Sequence, residues 1–205
     1  FNYKNEIIIS SGSKILTYIS LLALLNKGDE VVTFEPAWLS YKEQANLLGC
    51  KTRFIPFSTP INSIAKYFNK KSKVFILNNP NNPSGKLYDQ KFLKELYKIL
   101  KKKNMFLISD EAYSDFIPHT KKFYSAISAD KKKQRTIVVN SLSKNFGMGG
   151  WRIGYAIANR KITNKLLILN QHLITCAPSI LQTYLSENFF KLYKSNIIEI
   201  KKLQK

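Results

Sequence analysis

Residues 136–154 read TIVVNSLSKNFGMGGWRIG, and this stretch decides the fold class. Its first five residues form a β-branched apolar run, typical of a strand that is buried on both faces of a sheet. Serines and glycines follow at once, with Lys144 among them. A charged amine is costly to place beside a buried strand, because it loses contact with water. The stretch therefore predicts a buried strand that ends at a functional lysine shielded from solvent.

Similar strand patterns recur along the chain and alternate with helical ones. Further strand candidates are residues 7–9, 31–34, 51–57, 73–78, 105–109 and 153–158, and helix candidates are residues 15–25, 36–49, 89–103 and 178 to the end. We expect Asp89 to cap its helix, and Leu39, Ala45, Leu47 and Leu48 to face the core. This alternation predicts an α/β fold of three layers, α/β/α, with a mostly parallel sheet.

The composition fits one globular domain and excludes several classes of protein. The chain has 205 residues, 44% of them apolar, and a net charge of +20 from 33 basic and 13 acidic residues. Lysines occur in every segment, which argues against a nucleic-acid site, because such sites concentrate charge on one face. The apolar run at residues 15–25 is about half the length of a membrane span. The two cysteines, Cys50 and Cys176, lack the spacing of metal ligands and fit a reducing, cytoplasmic compartment.

Several polar residues follow directly after strand candidates. Asn82 follows residues 73–78, Asp110 and Tyr113 follow residues 105–109, and the segment of Lys144 follows residues 136–140. Ligands of open parallel sheets bind at the carboxyl ends of the strands, so these side chains are candidates for one site. The segment SSGSK, residues 10–14, opens a helix, where free backbone N–H groups bind anions.

This set of groups suits pyridoxal phosphate (PLP). The cofactor needs an amine for its aldehyde, an anion beside its ring nitrogen, donors for its phenolate oxygen and a phosphate pocket. Each residue also has an ordinary role: Asp110 as a cap, Tyr113 and Trp38 in packing, Asn82 as a turn former, and Arg152 as a surface cation. Their occurrence together, each at a strand end, favours the cofactor site.

Three segments carry a resemblance to a known family. NNPNNPSG, ISDEAYSDF and NSLSKNFGMGGWRIGYAIA resemble the signatures of the class I/II aminotransferases, PLP enzymes of fold type I that include aspartate aminotransferase. The segment GDEVVTFEPAWLSY resembles the second strand and aromatic turn of the same family, so the resemblance covers nearly the whole chain.

The resemblance implies a role for each matching residue. Lys144 would form the internal aldimine and move the substrate's α-proton, Asp110 would pair with the ring nitrogen, and Tyr113 would donate to the phenolate oxygen. Lys144, Asp110 and Tyr113 are thus the catalytic candidates. The remaining cofactor-binding residues would be Gly12, Ser13, Lys14, Trp38, Asn82, Ser141, Ser143 and Arg152, with Trp38 and Asn82 also at the substrate. No metal is implied.

The resemblance also implies a domain plan and partners. Residues 1–189 would form the large PLP-binding domain, and residues 190–205 would begin the helix that leads to a C-terminal small domain. Relatives also carry an N-terminal arm, and their small domain supplies the arginine that binds the substrate's α-carboxylate. No residue of this chain is assigned to that arginine, so the chain resembles a fragment. A homodimer acting on amino acids and 2-oxo acids is expected.

Two alternative functions share this fold. One is a PLP-dependent lyase or synthase, although GWRIGY, residues 150–155, is closer to the transaminating members. The other is a transcription regulator that uses an aminotransferase-like domain as a ligand sensor, to which the positive charge gives some support. The sequence does not indicate which amino acid or oxo acid is used.

Overall fold

The structure, a computed structural model, describes residues 2–118 and 120–203. All seven predicted strand segments form strands. They are β1 (Ile7–Ser10), β2 (Glu30–Glu35), β3 (Lys51–Pro56), β4 (Ser72–Asn78), β5 (Phe106–Asp110), β6 (Thr136–Ser141) and β7 (Gly154–Ile157). The alternating sequence pattern therefore located each strand to within a few residues.

The strands form one mixed sheet in the order β1-β7-β6-β5-β4-β2-β3. Neighbouring strands from β3 to β6 pair in parallel, whereas β7 pairs antiparallel with both β6 and β1. The other six strands consequently share one direction, and their carboxyl ends meet at one edge. In register, Asn78 at the end of β4 lies beside Asp110 at the end of β5. This alignment places the polar strand ends next to one another.

Helices cover both faces of the sheet, which confirms the α/β/α fold. They are α1 (Ser13–Leu24), α2 (Ser40–Leu47), α3 (Gln90–Lys102), α4 (Leu142–Asn145), α5 (Arg160–Leu173) and α6 (Ser179–Leu203), with 3₁₀ helices at Ile61–Tyr67, Ala126–Ala129 and Gly149–Trp151. Asp89 caps α3 as predicted, because its carboxylate accepts a hydrogen bond from the Phe92 N–H at 2.7 Å. Helix α5 was not predicted; its cap is Asn159, whose side chain accepts from the Ile162 N–H.

The core lies on both sides of the sheet and explains the unbroken apolar runs in the strands. Along β4, Val74 and Ile76 pack in the cluster that contains α1 and α5, while Phe75 and Leu77 pack in the cluster that contains α3. Successive side chains of a strand point to opposite faces, so a strand covered on both faces needs apolar residues throughout.

Helix α2 corrects one part of the predicted core. Ala45 is buried, but Leu39 is 83% exposed and Leu47 is 76% exposed. The buried stripe of α2 consists of Tyr41, Gln44 and Ala45. Leu39 precedes the first residue of α2, and Leu47 lies roughly 110° around the helix axis from the centre of this stripe, at 3.6 residues per turn.

Helix α6 runs through residue 189, at which the sequence places a domain boundary. That division stays a prediction, and residues 204 and 205 lie outside the described part of the chain. No described helix is both long enough and apolar enough to cross a bilayer.

Candidate active site

A cleft of about 440 Å³ lies at the carboxyl edge of the sheet. It is lined by Ser13, Lys14, Trp38, Tyr41, Asn78, Asn82, Asp110, Ala112, Tyr113, Ser141, Ser143, Lys144, Gly149 and Arg152. These include every site residue chosen from the sequence except Gly12, which adjoins Ser13 at the start of α1. The fold therefore brings the predicted set together, while the role of each residue stays a prediction.

A larger cavity of about 650 Å³ lies between the strands and α6. Its lining is mostly apolar and includes Glu111 and Asp115, but it shares no residue with the cleft. The cleft is the better candidate for chemistry, because the polar strand ends converge there.

Asp110 forms the floor of the cleft and is 5% exposed. Its Oδ2 accepts a hydrogen bond from the Tyr41 hydroxyl at 2.7 Å, and its Oδ1 accepts from the Ala112 N–H at 3.2 Å. Burial raises the pKa of Asp110, and these two hydrogen bonds act in the opposite direction. The result is a desolvated carboxylate suited to a cationic or N–H partner.

Asn82 and Tyr113 lie side by side, as the cofactor hypothesis requires. The Asn82 Nδ2 donates to the Tyr113 hydroxyl at 3.3 Å. Asn78 fixes this arrangement, because its Oδ1 accepts from the Asn82 N–H at 2.6 Å and its Nδ2 donates to the Asp110 carbonyl at 3.0 Å. Two donors for a ring oxygen thus lie on a segment that is tied to the floor of the cleft.

Lys144 lies on α4 and lines the cleft, with its Nζ 5.9 Å from the centre of the Tyr113 ring. Contrary to the sequence prediction, the side chain is exposed rather than shielded. The reason is its position, since β6 ends at Ser141 and α4 carries the lysine beyond the buried strand into the open cleft. The hydroxyl of Ser141 is buried and caps α4 by accepting from the Ser143 N–H at 3.1 Å.

The first turn of α1 and Arg152 together form a site for an anion. Gly12 precedes the helix at φ +93°, and a Cβ there would clash with the Arg152 guanidinium. Arg152 donates to the Ser143 hydroxyl at 3.3 Å and to the Gly149 carbonyl at 3.0 Å. The first N–H groups of α1 have no hydrogen-bond partner within the helix. They are therefore available to an anion bound between the start of α1 and Arg152.

Of the three glycines that precede Arg152, only Gly147 adopts a positive φ, at +64°. Gly149 contributes its carbonyl instead, and Arg152 itself lies in the left-handed region at φ +52°. The chain between α4 and β7 therefore turns back towards the anion site through the left-handed backbone of both Gly147 and Arg152.

Trp38 supplies the aromatic wall of the cleft. Its ring meets the Tyr41 ring edge-on, with centres 5.3 Å apart, and the Lys14 Nζ lies 5.1 Å from its centre. The indole is half-buried and so leaves a face for a planar ligand.

These groups match the requirements of PLP one for one. The cleft offers Lys144 for the aldehyde, Asp110 for the ring nitrogen, Asn82 and Tyr113 for the ring oxygen, and the α1 terminus with Arg152 for the phosphate. The backbone of Gly12 lies against the Arg152 guanidinium, so a phosphate at the start of α1 would meet both the helix N–H groups and the arginine. On the chemistry of its donors, the site fits the cofactor.

Sequence reasoning missed Tyr41 and Asn78. Asn78 is the last residue of β4, so the rule that polar strand ends line the site could have found it. Tyr41 lies three residues after Trp38, a spacing that puts both on one side of a helical segment. Its hydrogen bond to Asp110 depends on the packing of α2 against the sheet, which the sequence pattern does not specify.

Comparison with known proteins identifies the family of the chain. Residues 1–191 match the family described as aminotransferase class I and II. The aspartate aminotransferase of Sulfolobus acidocaldarius is 35% identical over 185 residues, which cover 86% of this chain and 46% of that protein.

Two solved structures share the fold and some sequence. An aromatic aminotransferase from Pyrococcus horikoshii is 30% identical with a TM-score of 0.91, and the match covers 98% of this chain and 56% of that one. A Methanococcus jannaschii protein, described as similar to kynurenine aminotransferases in its active site, is 34% identical with a TM-score of 0.88, covering 98% and 53%.

The chain thus spans about half the length of the curated relatives it matches. The family match covers nearly all of its residues, and the strand ends of the sheet hold groups from the family's signature segments. The chain is therefore a member of the class I and II aminotransferases.

Proposed function

We propose that the protein is a PLP-dependent aminotransferase, which exchanges an amino group between an amino acid and a 2-oxo acid. The observation that carries the proposal is the convergence of Lys144, Asp110 and the Asn82–Tyr113 pair in one cleft beside a helix N-terminus. The family of the chain supports it, since aminotransferases of this class use PLP.

The residues of the cleft divide the work between binding and proton transfer. When bound, PLP withdraws electrons from the substrate's α-carbon, so that its proton becomes acidic. Asp110 would keep the ring nitrogen protonated, because a desolvated carboxylate favours a cationic neighbour. The hydroxyl of Tyr113 and the amide of Asn82 would donate to the ring oxygen.

Lys144 would act as the covalent anchor and as the base that moves the α-proton. Its side chain extends from α4 into the cleft, where the Nζ is accessible to a ligand. Trp38 would cover one ring face, and the α1 terminus, Ser143 and Arg152 would hold the phosphate. Proton transfer by a positioned amine contributes about 10²–10⁴-fold to a rate.

We also propose that the protein acts as a cytoplasmic homodimer. The family resemblance supports the dimer, and the two unpaired thiols of Cys50 and Cys176 are compatible with a reducing compartment. Light scattering of the purified protein measures its mass and tests the dimer.

Spectroscopy of the full-length gene product that contains these 205 residues tests the activity. We expect a visible absorption band after addition of PLP, and loss of this band when an amino acid is added without an oxo acid. Addition of a 2-oxo acid should restore the band. Release of ammonia without need of an oxo acid would contradict transamination and identify a lyase.

A further inference from the structure

Tyr41 lies on α2 and points its hydroxyl at the side chain of Asp110, which lies at the end of β5. Its hydroxyl lies 2.7 Å from the Asp110 Oδ2 and donates to it. Tyr41 is 1% exposed and Asp110 is 5% exposed, so the hydrogen bond is shielded from water. A hydrogen bond between a phenol and a buried carboxylate is stronger than one in solvent, because no water competes for either partner.

The hydrogen bond has an electrostatic consequence that packing alone would not have. Burial raises the pKa of Asp110, whereas the Tyr41 hydroxyl stabilises the ionised carboxylate. Burial and the charge of Asp110 in turn raise the pKa of Tyr41, so the phenol keeps its proton and remains a donor. In this pair the Tyr41 hydroxyl is therefore the donor and the Asp110 Oδ2 is the acceptor.

The position of Tyr41 also links two contacts to the ligand. Trp38 and Tyr41 are three residues apart and pack edge-on, with ring centres 5.3 Å apart. The segment that supplies the aromatic wall of the cleft thus also holds the carboxylate on its floor. A ring bound against Trp38 would have its nitrogen presented to an aspartate that is oriented by the neighbouring side chain.

We propose that Tyr41 is a positioning residue, which holds the Asp110 carboxylate ionised and oriented for the ring nitrogen of PLP. This inference rests on the proposed function, and it adds a residue to which neither the family signatures nor the sequence pattern gives a role. Tyr41 acts through Asp110 and contributes to cofactor affinity and to the protonation state of the bound ring.

The other titratable and charged groups of the cleft surround Asp110 from several elements. They are Lys14 from α1, Tyr113 after β5, Lys144 from α4 and Arg152 before β7. Among the side chains that the structure describes, only that of Tyr41 donates directly to the Asp110 carboxylate. The substitution Tyr41→Phe therefore removes that donor and leaves the ring and its packing in place.

The test compares Tyr41→Phe, Asp110→Asn and the double variant with the wild type, using the full-length gene product freed of cofactor. Titration with PLP, followed by visible absorbance, gives the dissociation constant of each protein. We expect Tyr41→Phe to bind PLP about tenfold more weakly, because the carboxylate that meets the ring nitrogen loses the donor that orients it and favours its ionised form. In the Asp110→Asn background the same substitution should change affinity less than twofold, because the carboxylate on which it acts is gone.

A second measurement needs no cofactor. Carbon NMR titration of the Asp110 carboxyl in the cofactor-free protein should show a higher pKa in Tyr41→Phe than in the wild type. Tyr88→Phe serves as the matched control, because Tyr88 is also buried, at 3% exposure, but lies in the opposite core cluster. It should leave both the affinity and the Asp110 pKa unchanged.

The outcomes separate the two proposals. If the wild type binds PLP and Tyr41→Phe binds it equally well, the role of Tyr41 is wrong while the proposed function stands. Equal losses in the wild-type and Asp110→Asn backgrounds would show a packing role and would also overturn the inference. Failure of the wild type to bind PLP would overturn both. Should Asp110→Asn not fold, the NMR titration decides, and an unchanged Asp110 pKa in Tyr41→Phe would contradict the proposal.

Discussion

At the scale of single residues, two adjacent carboxylates at the end of β5 have separate tasks. Asp110 lines the cleft, whereas Glu111 lines the cavity on the other side and accepts three hydrogen bonds at its Oε1. The donors are the hydroxyls of Ser109 and Ser125 and the Ala126 N–H, all within 3.0 Å. Glu111 thereby ties the 3₁₀ helix at Ala126–Ala129 to the sheet.

Glu111 should make folding stability depend on pH. Burial raises its pKa from 4.5 to about 7. Between these two pH values the unfolded chain releases the proton while the folded protein keeps it, so the free energy of unfolding falls as pH rises and levels off above 7. The change is on the order of 3 kcal/mol.

The substitution Glu111→Gln keeps an oxygen acceptor for the three donors and removes the titration. Urea unfolding of both proteins at a series of pH values measures the effect. We expect the stability of the wild type to fall relative to that of Glu111→Gln between pH 4.5 and about 7. Parallel stability curves for the two proteins would show that Glu111 does not titrate in this range.

The sequence predicted the strand-end residues Lys144, Asp110, Tyr113 and Asn82, because a polar residue after a buried run is visible in the pattern itself. It could not predict Tyr41. The direction of that hydroxyl depends on the rotation of α2, which is set by packing of Tyr41, Gln44 and Ala45 against the rest of the core. The sequence also could not predict that Lys144 is exposed, because the exposure depends on how far α4 extends past the sheet.

At the scale of elements, β7 lies against the start of α1 at Gly154. A Cβ at this position would lie 2.7 Å from the Gly12 carbonyl carbon, 2.7 Å from the Ser13 nitrogen and 2.8 Å from the Asn140 oxygen. All three are backbone atoms, so no side chain can turn aside to make room. The absence of a side chain at Gly154 is thus what allows the strand and the anion-binding turn to approach each other.

Gly154→Ala should therefore damage both stability and cofactor binding. Overpacking of this kind costs about 1–3 kcal/mol in the free energy of unfolding, and the displaced α1 terminus should bind PLP more weakly. Chemical denaturation and PLP titration measure the two effects. Gly150→Ala is the control, because a Cβ there meets nothing within 4 Å, and it should change stability by less than about 0.5 kcal/mol. Equal effects of the two substitutions would contradict this account of the β7 contact.

The strand positions and the mostly parallel sheet were predictable from the sequence pattern, but the antiparallel direction of β7 was not. The run at residues 153–158 reads like the other strands, yet β7 is antiparallel to its neighbours. Residues 142–153, between β6 and β7, contain only the four-residue helix α4 and a three-residue 3₁₀ helix, so no helix there is long enough to run back along β6 as a parallel crossover does. Leu39 and Leu47 were misplaced because the sequence pattern does not specify where α2 begins or how it is rotated: Leu39 precedes the helix, and Leu47 lies outside its buried stripe.

At the scale of the whole molecule, function follows from strand direction. Six strands share one direction, so residues that are far apart in sequence, from Ser13 to Arg152, line a single cleft. The sequence alone supported this fold through its alternation of strands and helices, and its signature segments supported the family. The substrate depends on the shape of the finished site, which a pattern of residue types does not encode.

The most direct test of the account is the identity of the lysine that carries the cofactor. The full-length gene product is mixed with PLP, treated with borohydride to fix the bond between amine and aldehyde, digested and examined by mass spectrometry. We predict one reduced pyridoxyl phosphate group on Lys144, despite the excess of lysines in the chain, and none there after Lys144→Ala. Modification spread over surface lysines, or a specific adduct elsewhere that survives Lys144→Ala, would contradict the central claim.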